Sequence, residues 1–292
     1  MSSILSQKLK VALIQITATA VKQDNLQHAK DYILKALKKD PKIDLVALPE
    51  CFNSPYAVTE FPKYAENIPN GESTKFLSQV AKENNIILIG GSIPELGDDG
   101  KIYNTSVTFD RQGKIIGKHR KVHLFDIDIP GGITFKESIT LTGGQKATTI
   151  DLPEFGTIGE GICYDVRFPE LAAVAAREKN AFALVYPGAF NTVTGPLHWH
   201  LLARARAVDN QVYVILVSPS RNLNLGYHAY GHSLVVDPNG NIIAEAGEDE
   251  EILIAELDPE LITKTRAGIP VTVQRRFDIY GDYTKNVKPS AT

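Results

Sequence analysis

Three reactive side chains each stand at the end of a segment that is typical of a β-strand. Glu50 closes DLVALPE, Lys121 follows the strand-like run KIIGKHR, and Cys163 closes TIGEGIC. In layered α/β folds, reactive groups gather at strand ends, because the sheet fixes the backbone while the following loop opens a crevice. A thiol and a carboxylate brought together there could act as a nucleophile and a general base.

Cys163 is open to two interpretations. A cysteine with no nearby motif is often a small buried hydrophobic residue. In GEGICYDVRFPEL, however, a helix is predicted to start near Phe168, and its N-terminus would favour the thiolate form of the cysteine. Gly159 and Gly161 share the predicted strand face of Cys163, which would leave space beside the thiol. Cys51 lacks these features and is interpreted as structural.

Glu50 and Lys121 also have a structural and a functional interpretation. A carboxylate in this position could be a surface or capping group, but Glu50 follows a buried strand and a proline. Partial burial would raise its pKa and suit it to general-base chemistry near neutral pH. Lys121 lies in a basic stretch that could be a solvated patch. Strand alternation instead points Lys121 inward and Lys118 and Arg120 outward.

The segments that must position these residues alternate between short apolar runs and helical patterns. In the first half, KVALIQI, DLVALPE and IILIGGSI are predicted strands, and residues 24–40 and 73–85 are predicted helices. The second half repeats this order, each half ends in hairpins, and no Ser/Gly or Pro-rich linker separates the two. The pattern predicts one α/β domain of two similar halves, with two stacked sheets and helices outside.

The composition excludes several classes of protein. The chain has 292 residues and a formal net charge of −3, which gives no electrostatic reason to expect nucleic acid or an acidic membrane surface. Two cysteines do not make a disulfide framework and favour a reducing compartment. No apolar run is long enough to span a membrane, and the first residues lack a secretion or transit signal. We therefore expect a cytoplasmic protein, and the sequence leaves open whether some molecules enter an organelle such as the mitochondrion.

The sequence predicts no metal site and no cofactor. His198 and His200 are two residues apart on a predicted helix and do not face each other. His228 and His232 lie in a segment that a loop or strand explains better than a helix. Neither pair comes with a carboxylate or thiolate at metal-ligand spacing, and no phosphate-binding or dinucleotide-binding glycine motif is present.

The three reactive stretches resemble a known family. LPECF, KHRKVHLFD and GICYDVRFPEL are similar to the three signature segments of the nitrilase superfamily, the carbon–nitrogen hydrolases, and occur in the family's order. YPGAFN, TGPLHW, RARAVDNQ and YGHS extend the resemblance over roughly residues 10–270 and are most similar to the ω-amidase branch. The resemblance implies a four-layer αββα sandwich over residues 8–270 and a homodimer. Residues 271–292 form a polar tail with aromatic patches, a possible arm across the partner.

The resemblance also implies a set of active-site residues. It assigns Glu50 as proton acceptor, Lys121 as oxyanion stabiliser and proton donor, and Cys163 as nucleophile. Glu137 falls at a second glutamate of the family, which would orient the lysine or the substrate. The Tyr164 backbone N–H would complete an oxyanion hole.

Four further residues are candidates for substrate binding. Arg167 could pair with a substrate carboxylate, or it could form an internal salt bridge that ties the cysteine loop to the helix. Phe190, Thr194 and Trp199 follow a strand end and are expected to border the pocket.

The ω-amidase branch hydrolyses the terminal amide of short dicarboxylic monoamides such as α-ketoglutaramate and α-ketosuccinamate. Alternatives within the superfamily are a deaminated glutathione amidase, an N-carbamoyl amidohydrolase and, less favoured, a nitrilase. A glutaminase module and a non-catalytic scaffold with the same fold are more distant alternatives.

Overall fold

The computed structural model describes residues 3–128 and 134–282, and within them fifteen strands and seven α-helices. The strands are β1 (Leu9–Gln15), β2 (Leu45–Ala47), β3 (Ile87–Ile89), β4 (Ile93–Leu96), β5 (Ile102–Phe109), β6 (Ile115–Arg120), β7 (Asp126–Asp128), β8 (Thr134–Lys136), β9 (Thr148–Leu152), β10 (Gly156–Glu160), β11 (Ala183–Pro187), β12 (Tyr213–Val217), β13 (Leu234–Val236), β14 (Ile242–Glu245) and β15 (Glu251–Leu257). The α-helices are α1 (Lys22–Lys39), α2 (Phe61–Tyr64), α3 (Glu72–Asn84), α4 (Pro169–Ala173), α5 (Thr194–Asn210), α6 (Pro259–Gly268) and α7 (Phe277–Tyr280).

The strands form two large mixed sheets and one short hairpin. The first sheet has seven strands in the order β15-β1-β2-β3-β5-β4, with β6 also paired to β5. The second has six in the order β14-β13-β12-β11-β10-β9, and β7 pairs with β8. The neighbours β1, β2 and β3 run parallel, as do β10, β11 and β12. Each half of the chain therefore contributes a parallel centre that is completed by antiparallel strands.

Strand alternation divides the apolar side chains among three buried layers. Val11 and Leu13 of β1 and Ile215 of β12 lie in the central cluster between the two sheets. Residues of the opposite strand faces, such as Ile14, pack against α1 and α3 outside the first sheet. Leu216 belongs to the equivalent cluster with α4 and α5 outside the second sheet. The layer order is helix, sheet, sheet, helix, which confirms the predicted αββα sandwich.

Two predicted elements differ from the observed ones. IILIGGSI, expected as one strand, is divided into β3 and β4. Gly91 lies between them with φ +61°, and a Cβ there would come within 2.1 Å of the Pro49 carbonyl oxygen. The break between β3 and β4 therefore leaves room for the backbone of Pro49, the residue before Glu50. The helix expected over FPELAAVAAREKN is regular only in α4 and continues as a π-helix over Val174–Glu178.

Within the described ranges, no helix is both long and apolar enough to cross a membrane.

Candidate active site

Lys121 lies at the centre of a buried charge cluster. It follows β6, and its backbone N–H donates to the Asn104 carbonyl at 2.8 Å. Its Nζ is 3.0 Å from Glu50 Oε1 and 2.9 Å from Glu137 Oε1, and all three side chains are fully buried. Burial alone would lower the pKa of Lys121, but the Glu137 and Glu50 carboxylates outweigh it and raise that pKa well above its ordinary value. The lysine is therefore a permanent cation.

Glu50 follows β2 and has hydrogen-bond donors on both carboxylate oxygens. Asn104 Nδ2 donates to Oε1 at 2.8 Å, and the Ala189 backbone N–H donates to Oε2 at 2.8 Å. Burial nevertheless raises the pKa of Glu50, with Lys121 opposing the rise and Glu137 adding to it. Glu50 is thus held in one orientation and is a stronger base than an exposed glutamate.

Cys163 begins a five-residue 3₁₀-helix, Cys163–Arg167, directly after β10. Its backbone has φ +49°, an uncommon conformation for a residue with a side chain. The thiol is buried, and the Glu50 carboxylate is close enough to act on its pKa. Burial and the charge of Glu50 raise its pKa well above the ordinary value. The expectation that a helix N-terminus favours the thiolate is therefore wrong, because burial beside a carboxylate outweighs the weak dipole of short helices.

The space expected beside Cys163 is also filled. A Cβ at Gly161 would come within 2.6 Å of the Tyr186 ring, and one at Gly159 within 2.5 Å of Ala175 Cβ. These glycines permit close packing behind the cysteine loop and leave no opening there.

A buried carboxylate that the sequence did not indicate joins the cysteine loop to the lysine segment. Asp165 accepts the Ile162 N–H at 2.9 Å and the His123 N–H at 2.9 Å. Its oxygens also lie 3.0 Å from His119 Nε2 and 2.7 Å from His123 Nδ1. Burial alone would raise its pKa, but these hydrogen bonds outweigh it and hold the pKa well below the usual range. The only sequence signal was its position two residues after Cys163.

An aromatic-walled cavity of about 420 Å³ opens onto Glu50 and Ala189. Tyr56, Phe135 and Tyr227 line it, with ring centroids 4.4 Å apart for Tyr56 and Tyr227 and 5.8 Å apart for Tyr56 and Phe135. The Tyr56 hydroxyl donates to Glu137 Oε1 at 2.7 Å. The sequence did not single out any of these three rings, since their segments meet only in the folded chain. Cys163 is not part of the wall, and the group of the buried cluster that reaches the cavity is Glu50.

Arg167 does not form the internal salt bridge that was one of its two interpretations. Its Nη1 is 3.1 Å from His198 Nδ1, and its guanidinium lies 4.7 Å from the Phe190 ring centroid and 5.5 Å from that of Tyr164. Among residues 3–128 and 134–282, no carboxylate lies within ion-pair distance of it, and its buried Nε has no hydrogen-bond partner. Burial lowers the pKa of this guanidinium.

Phe190, Thr194 and Trp199 lie behind the cavity wall, so the expectation that they border the pocket is corrected. Phe190 and Trp199 are buried with ring centroids 5.0 Å apart. Trp199 Nε1 donates to the His232 carbonyl at 2.7 Å, and the Thr194 hydroxyl to Asn191 Oδ1 at 3.1 Å. After β11, Ala189 faces the cavity, whereas Phe190 and Trp199 pack in the helix layer.

Comparisons with known proteins identify this fold as that of a class of enzymes that hydrolyse carbon–nitrogen bonds. The chain matches the carbon–nitrogen hydrolase family over residues 10–267. It is 62% identical to the omega-amidase NIT3 of Saccharomyces cerevisiae, over 96% of this chain and 98% of that protein. It is 52% identical to the human omega-amidase NIT2, over 93% and 96% of the two chains.

Solved structures give the same result. The crystal structure of Saccharomyces cerevisiae Nit3, a member of branch 10 of the nitrilase superfamily, superposes with a TM-score of 0.88 at 58% identity, covering 94% of this chain and 99% of that one. The Caenorhabditis elegans NitFhit protein superposes with a TM-score of 0.81 at 33% identity, covering 96% and 67%. The chain belongs to the carbon–nitrogen hydrolase family, which confirms the resemblance to the nitrilase superfamily.

Proposed function

We propose that this protein is an ω-amidase that hydrolyses the terminal amide of short dicarboxylic monoamides, such as α-ketoglutaramate and α-ketosuccinamate, to the acid and ammonia. It is a hydrolase of linear amide carbon–nitrogen bonds. The observation that carries the specific proposal is the identity of 62% and 52% to two omega-amidases over nearly the whole chain. The buried contact of Glu50 with Lys121 and Cys163 supplies the groups that such a reaction needs.

The first step is attack of the Cys163 sulfur on the amide carbon. Because burial and Glu50 raise the pKa of the Cys163 thiol, its proton must leave as the carbon–sulfur bond forms, and the Glu50 carboxylate is the proposed acceptor. The amide oxygen then takes up the electron pair of the carbonyl bond. The Lys121 ammonium and the Tyr164 N–H stabilise this oxyanion, since N–H groups in the first turn of a helix have no intrahelical acceptor.

Collapse of the tetrahedral intermediate breaks the carbon–nitrogen bond. Glu50 returns its proton to the departing nitrogen, so that ammonia leaves and a thioester remains on Cys163. A water molecule then gives a proton to Glu50 and attacks the thioester carbonyl. As the carbon–sulfur bond breaks, Glu50 returns that proton to the Cys163 sulfur, which releases the acid and restores the thiol. Glu137, bonded to Lys121 and to the Tyr56 hydroxyl, holds the ammonium in place throughout.

The substrate is a small amide with a distal carboxylate. A cavity of about 420 Å³ is at the small end of ligand pockets. Arg167, whose guanidinium has no carboxylate partner within the described ranges, is the proposed group for the distal carboxylate, but it does not line this cavity, so its side chain would have to turn from His198 towards the substrate. The alternatives are a deaminated glutathione amidase and an N-carbamoyl amidohydrolase, and kcat/KM for α-ketoglutaramate against deaminated glutathione separates the first of these.

The proposal is tested by Cys163→Ala. The variant should release no ammonia from α-ketoglutaramate, because the thioester cannot form, while its circular dichroism and Tm stay close to those of the parent. Cys163→Ser, which keeps the shape of the side chain, should be similarly inactive. Near-full activity of either variant would overturn the nucleophile assignment, and a parent enzyme inert towards α-ketoglutaramate but active on another amide would overturn the substrate.

A cytoplasmic homodimer completes the proposal. Leu197, Leu201 and Val208 lie on one face of α5 with 64%, 62% and 50% of their surface exposed, an apolar stripe that a second copy could cover. The domain of residues 8–270 would form the sandwich and residues 271–292 an arm on the partner. Residues 283–292 of that tail lie outside the described ranges. Two free cysteines suit the reducing cytosol.

A further inference from the structure

A second group of ionisable side chains lies on the helix layer, away from the cavity. His200 extends from α5, His232 precedes β13, and Glu245 ends β14. His200 Nε2 is 2.8 Å and His232 Nδ1 is 3.1 Å from the same oxygen, Glu245 Oε1. The three ligand atoms all lie within 4.8 Å of one another, and the two histidines are half-buried. The proposed amidase chemistry uses none of them.

We propose that His200, His232 and Glu245 form a binding site for a divalent metal ion of the zinc type. Two imidazoles and one carboxylate are a ligand set that Zn²⁺ takes in proteins, with a fourth position left to water. Metal–ligand distances of about 2.0–2.1 Å in a tetrahedral site place neighbouring ligand atoms roughly 3.4 Å apart. The present ligand atoms, all within 4.8 Å of one another, would reach that spacing through movement of His200 and of the exposed Glu245, which leaves the fourth position open to solvent.

The backbone at His232 gives independent support. Its φ is +57°, directly after Gly231 at +76°, although glycine or asparagine is the usual residue in this conformation. Hydrogen bonds on both sides hold it there, because its N–H donates to the Gly247 carbonyl at 2.9 Å and its carbonyl accepts from Trp199. The Tyr230 ring stacks on the imidazole with centroids 4.4 Å apart. A side chain fixed so firmly at a strained position is a preorganised ligand.

The protons balance when the metal binds. In the metal-free site both imidazole nitrogens point at one carboxylate oxygen, so each donates a proton to it or shares one with it. When a cation binds, each facing nitrogen gives up any proton it holds, either to the other nitrogen of its ring or to solvent, and coordinates the metal as part of a neutral imidazole.

The metal would join α5 to the loop before β13. That loop carries Tyr227 and Ala229 on the cavity wall. Trp199, the neighbour of His200, packs against the Cβ side of Gly188 beside Cys163. The ion would therefore stabilise the scaffold behind the cavity, and no step of the amide hydrolysis passes through it.

The test uses the full-length Cys163→Ala protein, so that the reactive thiol does not compete for metal. Zinc chloride is titrated by calorimetry, and cobalt chloride gives a visible spectrum that distinguishes nitrogen and oxygen ligands from thiolate. We expect one equivalent to bind, a cobalt spectrum without thiolate charge transfer, and a higher Tm. His200→Gln, His232→Asn and Glu245→Gln should each weaken binding by tenfold or more. Asparagine tolerates the backbone conformation at position 232, so that variant keeps the fold.

The matched control is His28→Gln. His28 is also paired with a glutamate, Glu250, at 2.9 Å. Among the described residues, no second histidine pairs with that glutamate. The control should bind zinc as the parent does. The proposal is overturned if no binding is detected, if the cobalt spectrum shows thiolate ligation, or if the three site variants bind as tightly as His28→Gln.

Discussion

For single residues, the protonation states of Glu50, Lys121 and Cys163 follow from their burial and from their charged neighbours. Burial raises the pKa of Glu50 and that of Cys163, so each group holds a proton more tightly than it would in water. Lys121 keeps its charge because two carboxylates surround it. In the proposed reaction, the Cys163 thiol would therefore lose its proton to Glu50 only as it attacks the amide carbon.

The raised pKa of Glu50 predicts the acid limb of the pH profile. The basic form exists above this pKa, which lies above the ordinary 4.5, so kcat/KM should fall as pH drops through a midpoint higher than 4.5. Ammonia release measured from pH 4 to 9 tests this. The fluorescence of Trp199 at each pH serves as a control for unfolding, and a profile flat down to pH 4.5 would contradict the role of Glu50.

Replacing the buried cation should damage both activity and stability. Lys121→Met removes an oxyanion donor, which should lower kcat by about 10²–10³, and leaves Glu50 and Glu137 without their shared partner, which should destabilise by roughly 3 kcal/mol or more. Lys118→Met is the matched control. Lys118 lies on β6, the strand that precedes Lys121, pairs with Glu95 and is 40% exposed, so its loss should change stability by less than about 1 kcal/mol. Equal effects of the two variants on kcat would refute the assignment.

The positions of these residues could be predicted, but their protonation states could not. Strand alternation is local, so it correctly pointed Lys121 inward from the pattern of β6 alone. The pKa of Cys163 depends on burial by segments far along the chain. Whether Arg167 has a carboxylate partner likewise depends on which side chains the fold brings beside it. Asp165 and the rings of Tyr56 and Tyr227 were missed for the same reason.

At the scale of elements, one carboxylate holds two active segments together. Asp165 lies in the 3₁₀-helix of Cys163 and accepts donors from the loop that follows β6, two residues beyond Lys121. The Asp165 side chain therefore fixes the spacing between the segment of Cys163 and the segment of Lys121.

Asp165→Asn should loosen this connection. The amide is the same size, but its NH₂ group faces buried N–H donors, which should lower the free energy of unfolding by about 1–3 kcal/mol and reduce kcat more than it raises KM. Folding lowers the pKa of the Asp165 carboxyl. The carboxylate therefore stabilises the fold at pH values above 3.8, its ordinary pKa, and this stabilisation is lost as the pH falls below 3.8. The difference from the parent should shrink in the same range.

Urea unfolding at pH 7 and below 3.8 measures this effect. The control is Asp151→Asn, an exposed carboxylate on β9 whose side chain, within the described residues, accepts a hydrogen bond from the Thr157 hydroxyl alone. If the two variants are equally stable and equally active at pH 7, Asp165 has no positioning role.

At the scale of the whole molecule, the helix layers carry the surface that the proposed dimer would use. Leu201→Glu places a charge in the centre of the apolar stripe on α5 and should shift the protein from dimer to monomer in analytical ultracentrifugation. Leu34→Glu, on the exposed side of α1, is the control and should leave the mass unchanged. A monomeric parent protein would contradict the proposal directly.

The pairing of β15 with β1 constrains how the chain is made. Leu9 lies opposite Leu257 and Gln15 opposite Glu251, so the first strand to leave the ribosome finds its outer neighbour only after almost the entire chain has been translated. Until then the sheet that bears Glu50 and Lys121 has one unpaired apolar edge, the kind of edge that recruits other chains. Protection of that edge by a chaperone is therefore most needed during the interval between synthesis of the first strand and the last.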